Sequence, residues 1–126
     1  MAMQTRSQRL AKTIYKQIRE VEKKGADYGK KYGALCHKLP AFILSNGLMQ
    51  AVAFLESKGK EHHKEFISHI KEVLCPNASS LHEHIMSLDC TGYMQATRLA
   101  LEASVWYVRF AESILKVKKG EEAGEE

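Results

Sequence analysis

Residues 39–48 read LPAFILSNGL, and this stretch decides how the middle of the chain folds. Pro40 and the Asn46-Gly47 pair interrupt a strongly apolar region, although proline disrupts helices and Asn-Gly favours turns. Pro40 is predicted either to kink an incoming helix or to open a short new one. Gly47 is predicted to end that helix, because glycine adopts backbone angles closed to other residues. The apolar stretch would then fold back so that both of its limbs are buried.

The rest of the chain has the pattern of a series of helices. Apolar residues recur every three or four positions, and no segment alternates with period two for long enough to be a strand. The predicted helices cover about residues 5–24, 28–46, 48–57, 61–74, 81–89 and 92–118. The predicted fold is all-α, a single compact bundle of about six helices with a long C-terminal helix. Residues 1–118 are predicted to form this one helical domain, and residues 119–126 an acidic, disordered tail.

Helix ends are predicted from capping residues. Asp27, Ser80 and Thr91 are the expected N-caps of the second, fifth and sixth helices. Gly29 and Gly33 are four residues apart in the second helix, which allows a neighbouring segment to approach closely on that face.

The last helix carries two lines of apolar residues. One line contains Leu99, Ala103, Trp106, Phe110, Ile114 and Val117, and the other contains Met94, Leu101, Val108 and Leu115. A helix that is apolar on two sides lies at the centre of a bundle or is covered by a partner, and the pattern is compatible with both.

No motif of an enzyme, metal site or membrane span is present. His62, Glu65 and His69 share one helical face, yet HExxH is absent and i, i+7 is a long reach for two ligands of one ion. The chain also lacks GxSxG, GxGxxG and GxxxxGKS. We therefore predict no catalytic residue, no metal ligand and no cofactor. The longest apolar stretch is too broken to cross a bilayer. The three separated cysteines indicate reduced thiols in a cytoplasmic protein.

Charge is unevenly distributed along the sequence. The formal net charge is +4, but residues 1–64 hold 13 Lys and Arg against 5 Asp and Glu, a net of +8, whereas residues 65–126 hold 6 against 10, a net of −4. Such polarity indicates an anionic partner for the first half, or head-to-tail stacking of identical subunits.

The basic residues of the first helix form a single stripe. They are spaced by three and four, and on a helical wheel they lie opposite the apolar face. The members of this basic stripe are Arg9, Lys12, Lys16, Arg19 and Lys23. Because an ordinary solvated face usually mixes charge signs, the stripe is a candidate binding surface for a phosphate backbone, such as that of RNA, or for an acidic partner. A merely solvated face is the alternative.

Residues 30–66 resemble the small all-helical subunit of type III-B CRISPR effector complexes, the Cmr complex. The resemblance rests on Leu39-Pro40, Asn46-Gly47-Leu48 and the run from Ala53 to Lys58, and more loosely on the basic first helix and on residues 106–110. It implies a non-catalytic subunit that stacks along the guide RNA and target RNA beside copies of itself and other subunits of the complex. It implies no individual RNA-contacting residue. A stand-alone helical adaptor for an acidic protein or membrane surface, and a metal-dependent hydrolase based on the histidines, are the alternatives.

Overall fold

The computed structural model describes residues 3–119, and within that range it contains six α-helices and no strand. The helices are α1 (Arg6–Glu22), α2 (Ala26–Asn46), α3 (Leu48–Lys58), α4 (Glu61–Leu74), α5 (Leu81–Met86) and α6 (Cys90–Ser113). The predicted all-α class, the number of helices and the long helix near the C-terminus are confirmed. The division at residue 118 stays a prediction, and of the predicted tail only Lys119 lies within the described residues.

Three aromatic rings from three helices form the centre of the core. Phe66 of α4 contacts Tyr32 of α2 edge to face, with ring centroids 5.2 Å apart, and Tyr107 of α6 in the same way at 5.3 Å. All three side chains are fully buried. Edge-to-face pairs of this kind each contribute about 0.5–1.5 kcal/mol of stability beyond the contribution of the apolar area that they bury. Tyr107 was not among the core residues predicted from the sequence.

The two helix-disrupting residues in LPAFILSNGL, Pro40 and Gly47, have different effects. Pro40 lies inside α2, which continues past it to Asn46, so of the two alternatives predicted for this proline the start of a new helix is excluded. Gly47 ends α2 as predicted, with φ +87° and ψ 157°, and its N–H donates to the carbonyl of Ile43 at 2.8 Å. The next helix starts at Leu48. Apolar residues of both limbs, including Ile43 and Leu48, are buried in one core.

The chain after α6 folds back over α2 and uses its two glycines. A Cβ atom on Gly33 would lie 2.8 Å from Cγ2 of Val117, and one on Gly29 would lie 3.4 Å from Leu115. The backbone turns at Lys116, where φ is +63°, and Val117 is then buried. The predicted close approach at these glycines is therefore confirmed, and the approaching element is the segment that follows α6.

Several predicted helix ends are wrong by a few residues. The N-cap of α2 is Gly25, and Asp27 lies in the first turn. The N-cap of α6 is Asp89 and not Thr91, because the Asp89 carboxylate accepts from the N–H of Gly92 at 2.8 Å. The last helix ends at Ser113 and not near residue 118, and α5 ends at Met86 and not near residue 89. Ser80 does cap α5, by accepting from the N–H of Glu83.

The buried face of α6 shares Ala103 with the first predicted apolar line and otherwise lies between the two lines. It consists of Ala100, Ala103, Ser104, Tyr107 and Ala111. Small residues on this face let α6 pack closely against α2 and α1, its two most extensive neighbours. Most members of the predicted lines, Trp106 and Phe110 among them, are half-buried on the flanks. The long helix is thus central in the bundle while keeping apolar side chains at its edges.

Candidate nucleic-acid interface

Helix α1 is fixed in orientation by its buried face. A capping box starts it, in which the Thr5 hydroxyl accepts from the N–H of Gln8 and the Gln8 side chain accepts from the N–H of Thr5. The residues that face the core are Leu10, Ile14, Gln17, Ile18 and Val21. Burial of this face forces the opposite face of the helix into solvent.

All five members of the basic stripe are exposed on that opposite face. Four lie within α1, and Lys23 is its C-cap. At a rise of 1.5 Å per residue the stripe extends over about 21 Å. The structure therefore places the predicted residues together as one continuous basic surface.

Only two members of the stripe have partners among the described residues. Arg19 forms an exposed ion pair with Glu22 at 3.2 Å, and Arg9 donates to the carbonyl oxygen of Gln4 at 2.7 Å. Exposed pairs of this kind contribute about 0–1 kcal/mol. No ion pair within residues 3–119 neutralises the other three lysines of the stripe. The stripe thus keeps most of its charge available to an external anion.

An aromatic cluster borders one side of the stripe. Tyr15 of α1 meets Phe110 of α6 edge to face, with ring centroids 5.6 Å apart, and Phe110 stacks on Trp106 at 5.7 Å. The guanidinium of Arg19 lies 5.7 Å from the centroid of the Tyr15 ring. We call Tyr15, Phe110 and Trp106 the aromatic ridge. The sequence analysis missed it, because Tyr15 is more than 90 residues from the other two members in the chain.

A polar network borders the other side and attaches α1 to the core. The side-chain amide of the buried Gln17 donates to the carbonyl of His69 at 3.0 Å and to the carboxylate of Glu72 at 2.9 Å. Its carbonyl oxygen accepts from the hydroxyl of Tyr107 at 2.6 Å. Gln17, His69 and Glu72 line an open polar depression together with Lys12 and Lys16. Because one amide connects α4 and α6 to α1, the position of the stripe is fixed relative to the core.

The histidines considered as metal ligands are part of the interior packing. His69 shares a 2.7 Å hydrogen bond with the hydroxyl of Tyr32, and its other ring nitrogen lies 3.7 Å from the carboxylate of Glu65. Burial lowers the pKa of His69, although the neighbouring carboxylates act in the opposite direction. Glu65 also accepts from the hydroxyl of Tyr28, whose pKa is raised by burial and by that hydrogen bond. Within residues 3–119 no group of three or more His, Cys, Asp or Glu side chains could hold a metal ion.

The three cysteines, which were predicted to be reduced, are all free thiols. Cys36 and Cys75 are buried, and burial raises the pKa of both thiols, whereas Cys90 is exposed. Among the described residues, no helix has the length and apolar character required to cross a membrane.

These features define a class of small all-helical proteins that present one strongly basic helix face beside an aromatic cluster. The chain belongs to the Cmr5 family: the family model described as CRISPR-associated protein (Cas_Cmr5) matches residues 6–114. The resemblance seen in the sequence is therefore confirmed.

Individual relatives agree with this assignment. The chain is 36% identical over 115 residues to a protein of Thermus thermophilus named CRISPR system Cmr subunit Cmr5, with 90% of this chain and 99% of the relative covered. A Thermotoga maritima protein of the same name is 33% identical over 125 residues, covering 96% and 93%. The crystal structure of a CRISPR-associated Cmr5 family protein from Thermus thermophilus superposes with a TM-score of 0.79 at 36% identity, covering 89% of this chain and 98% of that one.

Proposed function

We propose that this protein is the non-catalytic small subunit of a type III-B CRISPR ribonucleoprotein effector complex, located in the cytoplasm. Its role is to stack along the guide RNA and target RNA and to stabilise them in antiviral defence. The observation that carries the proposal is the exposed basic stripe of α1, which the other residues within 3–119 leave largely unneutralised. Membership of the Cmr5 family, whose relatives are named as Cmr subunits, supports it.

The chemistry of the stripe fits a phosphate backbone better than base edges. Lysine and arginine heads bind phosphate oxygens directly, and each contact releases condensed cations from the nucleic acid. A row of cations on a straight helix follows a regular series of phosphates, but it carries no donor and acceptor pattern that distinguishes one base from another. The subunit is thus expected to position RNA of any sequence.

Stacking of subunits extends this surface. One stripe of about 21 Å covers few nucleotides, so a single subunit binds weakly and a row of subunits binds through many contacts at once. The partners are therefore copies of this chain in head-to-tail order, other subunits of the complex, and the guide and target RNA. No membrane partner is proposed.

A charge-reversal variant tests the proposal. Changing Lys12, Lys16 and Arg19 together to Glu should weaken RNA association strongly, whatever the RNA sequence. Helix content by circular dichroism should stay close to that of the wild type, because all three side chains are exposed.

A matched control changes three exposed lysines outside the stripe, Lys58, Lys64 and Lys118, to Glu. It alters the net charge equally and should retain most of the RNA binding. Equal losses of RNA binding in both variants would mean that binding depends on net charge and not on the stripe. Normal RNA binding by the stripe variant would leave the stripe as a solvated face.

The stand-alone adaptor is the second candidate, since the stripe could bind an acidic protein surface, including the acidic half of a second copy. Sedimentation of the stripe variant without RNA separates the two functions. Loss of self-association without RNA, combined with intact RNA binding, would favour the adaptor.

A further inference from the structure

The aromatic ridge is a feature of the α1 surface that phosphate binding leaves unused. Tyr15 is 45% exposed, although its ring has an aromatic neighbour and a cation close to it. Phe110 and Trp106 are half-buried behind it and fix the ring in place. A preorganised aromatic ring at the surface loses little conformational freedom when a flat ligand stacks on it.

The position of Tyr15 relative to the stripe identifies the ligand. Lys12 precedes Tyr15 by three residues and Arg19 follows it by four, so both cations are its neighbours on the helix surface. Along the helix axis Lys12 is about 4.5 Å and Arg19 about 6 Å from Tyr15. A phosphate held by either cation therefore brings the attached base, one sugar away, within reach of the Tyr15 ring.

From this juxtaposition we infer that the aromatic ridge is a stacking site for an unpaired nucleobase of the RNA strand whose phosphates lie on the basic stripe, with Tyr15 as the contacting ring. The inference rests on the proposed function and adds a second mode of contact to it. Every base presents a π-face, so the site accepts any base but excludes one that is stacked inside a duplex.

The charge around the ridge favours a nucleotide over an apolar peptide. Arg19 and Lys12 lie on the α1 side, and Arg109, exposed on α6, follows Trp106 by three residues. Arg109 has no ion-pair partner among the described residues. An apolar helix docking here would desolvate Lys12 and Arg109 without supplying a counter-charge, whereas a nucleotide brings its own phosphate to them.

The experiment measures the affinity of the full-length chain for two probes: single-stranded oligouridylate and an abasic ribose-phosphate strand of equal length. Both probes carry the same charge, and only the first carries bases. For the wild type, the RNA should bind about tenfold more tightly than the abasic strand, the gain expected from one stacked base. This affinity ratio tests base stacking on the ridge. The affinity for the abasic strand alone tests phosphate binding by the basic stripe.

Variants at Tyr15 and a matched control locate the site. Tyr15→Leu should reduce the ratio to about one, and Tyr15→Phe should preserve it, because stacking requires the ring and not the hydroxyl. Phe54→Leu is the control: Phe54 is 38% exposed, with the Lys58 ammonium 4.9 Å from its ring centroid, but it lies on α3 outside the stripe. The control should preserve the ratio.

The outcomes separate the two proposals. If Tyr15→Leu keeps the wild-type ratio, or if Phe54→Leu loses it, the inference is overturned while phosphate binding by the stripe stands. If Tyr15→Leu abolishes self-association and leaves the ratio unchanged, the ridge is a contact between copies, which also overturns the inference. If the triple stripe variant binds the abasic strand as well as the wild type does, the proposed phosphate surface itself fails.

Discussion

Replacing two glycines by the same residue provides a sharp test of the chain reversal at LPAFILSNGL. Gly47 has φ +87° and ψ 157°, in a region that essentially only glycine occupies, whereas Gly59 has φ +71° and ψ 2°, which is ordinary left-handed helix. Asparagine adopts the second conformation readily and the first with strain. Gly47→Asn should therefore destabilise the protein much more than Gly59→Asn.

The surroundings add to this difference. A Cβ atom on Gly47 would lie 3.3 Å from the hydroxyl oxygen of Tyr93, which accepts from the N–H of Met49 at 3.0 Å. A Cβ atom on Gly59 has no described heavy atom within 4 Å. Backbone strain at Gly47 costs about 1–3 kcal/mol, and disturbance of the Tyr93 contact adds to it. We expect a difference of about 2 kcal/mol between the two variants.

Thermal denaturation followed by far-UV circular dichroism measures the difference. For a chain of 126 residues, 2 kcal/mol corresponds to a shift in Tm of roughly 8 °C. Gly47→Asn should melt lower by about this amount, and Gly59→Asn should lie within a few degrees of the wild type. Equal losses in the two variants would refute the backbone geometry assigned to Gly47.

Three further predictions concern packing, pH and chemistry. Gly33→Ala should destabilise by about 1–3 kcal/mol in urea denaturation, because its Cβ would overlap Val117; the double variant with Val117→Ala should recover part of that loss. The free energy of unfolding should decrease as the pH falls from about 7.5 to about 5.5, because burial lowers the pKa of His69; His69→Gln should flatten this dependence. The isolated chain should not cleave RNA; cleavage that co-purifies with the protein and is lost on substitution of His62 or His69 would contradict the non-catalytic role.

The sign of the pH effect follows from the proton balance. In the unfolded chain a histidine has a pKa of about 6.5, and in the folded protein the pKa of His69 is lower. Below about pH 6.5 the unfolded state therefore binds a proton that the folded state does not, and stability is lost until the pH reaches the folded pKa. If the free energy of unfolding of His69→Gln fell with pH as steeply as that of the wild type, the pH dependence could not be assigned to His69.

Local signals were sufficient to predict most of the helices. The bounds of α4, Glu61–Leu74, agree with the prediction because Gly59 and Pro76 punctuate both sides of a clear apolar period. The N-cap of α6 was assigned two residues late, because Asp89 and Thr91 are both good capping residues and sequence cannot rank them. The path of the chain through Pro40 was also ambiguous, since a proline is compatible with a first turn or with a helix interior that tertiary contacts maintain.

Features that depend on packing between distant parts of the chain could not be predicted from the sequence. The apolar period continues past Ser113, so the sequence predicted more helix, whereas the chain turns at Lys116 and buries Val117 against Gly33. The basic stripe could be predicted because a single helix carries all of it. The aromatic ridge could not, since it exists only because α6 packs on α1, and Tyr15 is the one aromatic residue within α1.

The salt dependence of RNA binding tests the central claim, that the basic stripe holds the phosphate backbone, most directly. If each of the five cations binds one phosphate of a single strand, a plot of log Kobs against log salt concentration has a slope of about −3.5. Lys16→Gln should make that slope shallower by about 0.7, equally for every RNA sequence. A wild-type slope near zero, or an unchanged slope in Lys16→Gln, would contradict the assignment of α1 as the RNA-binding surface.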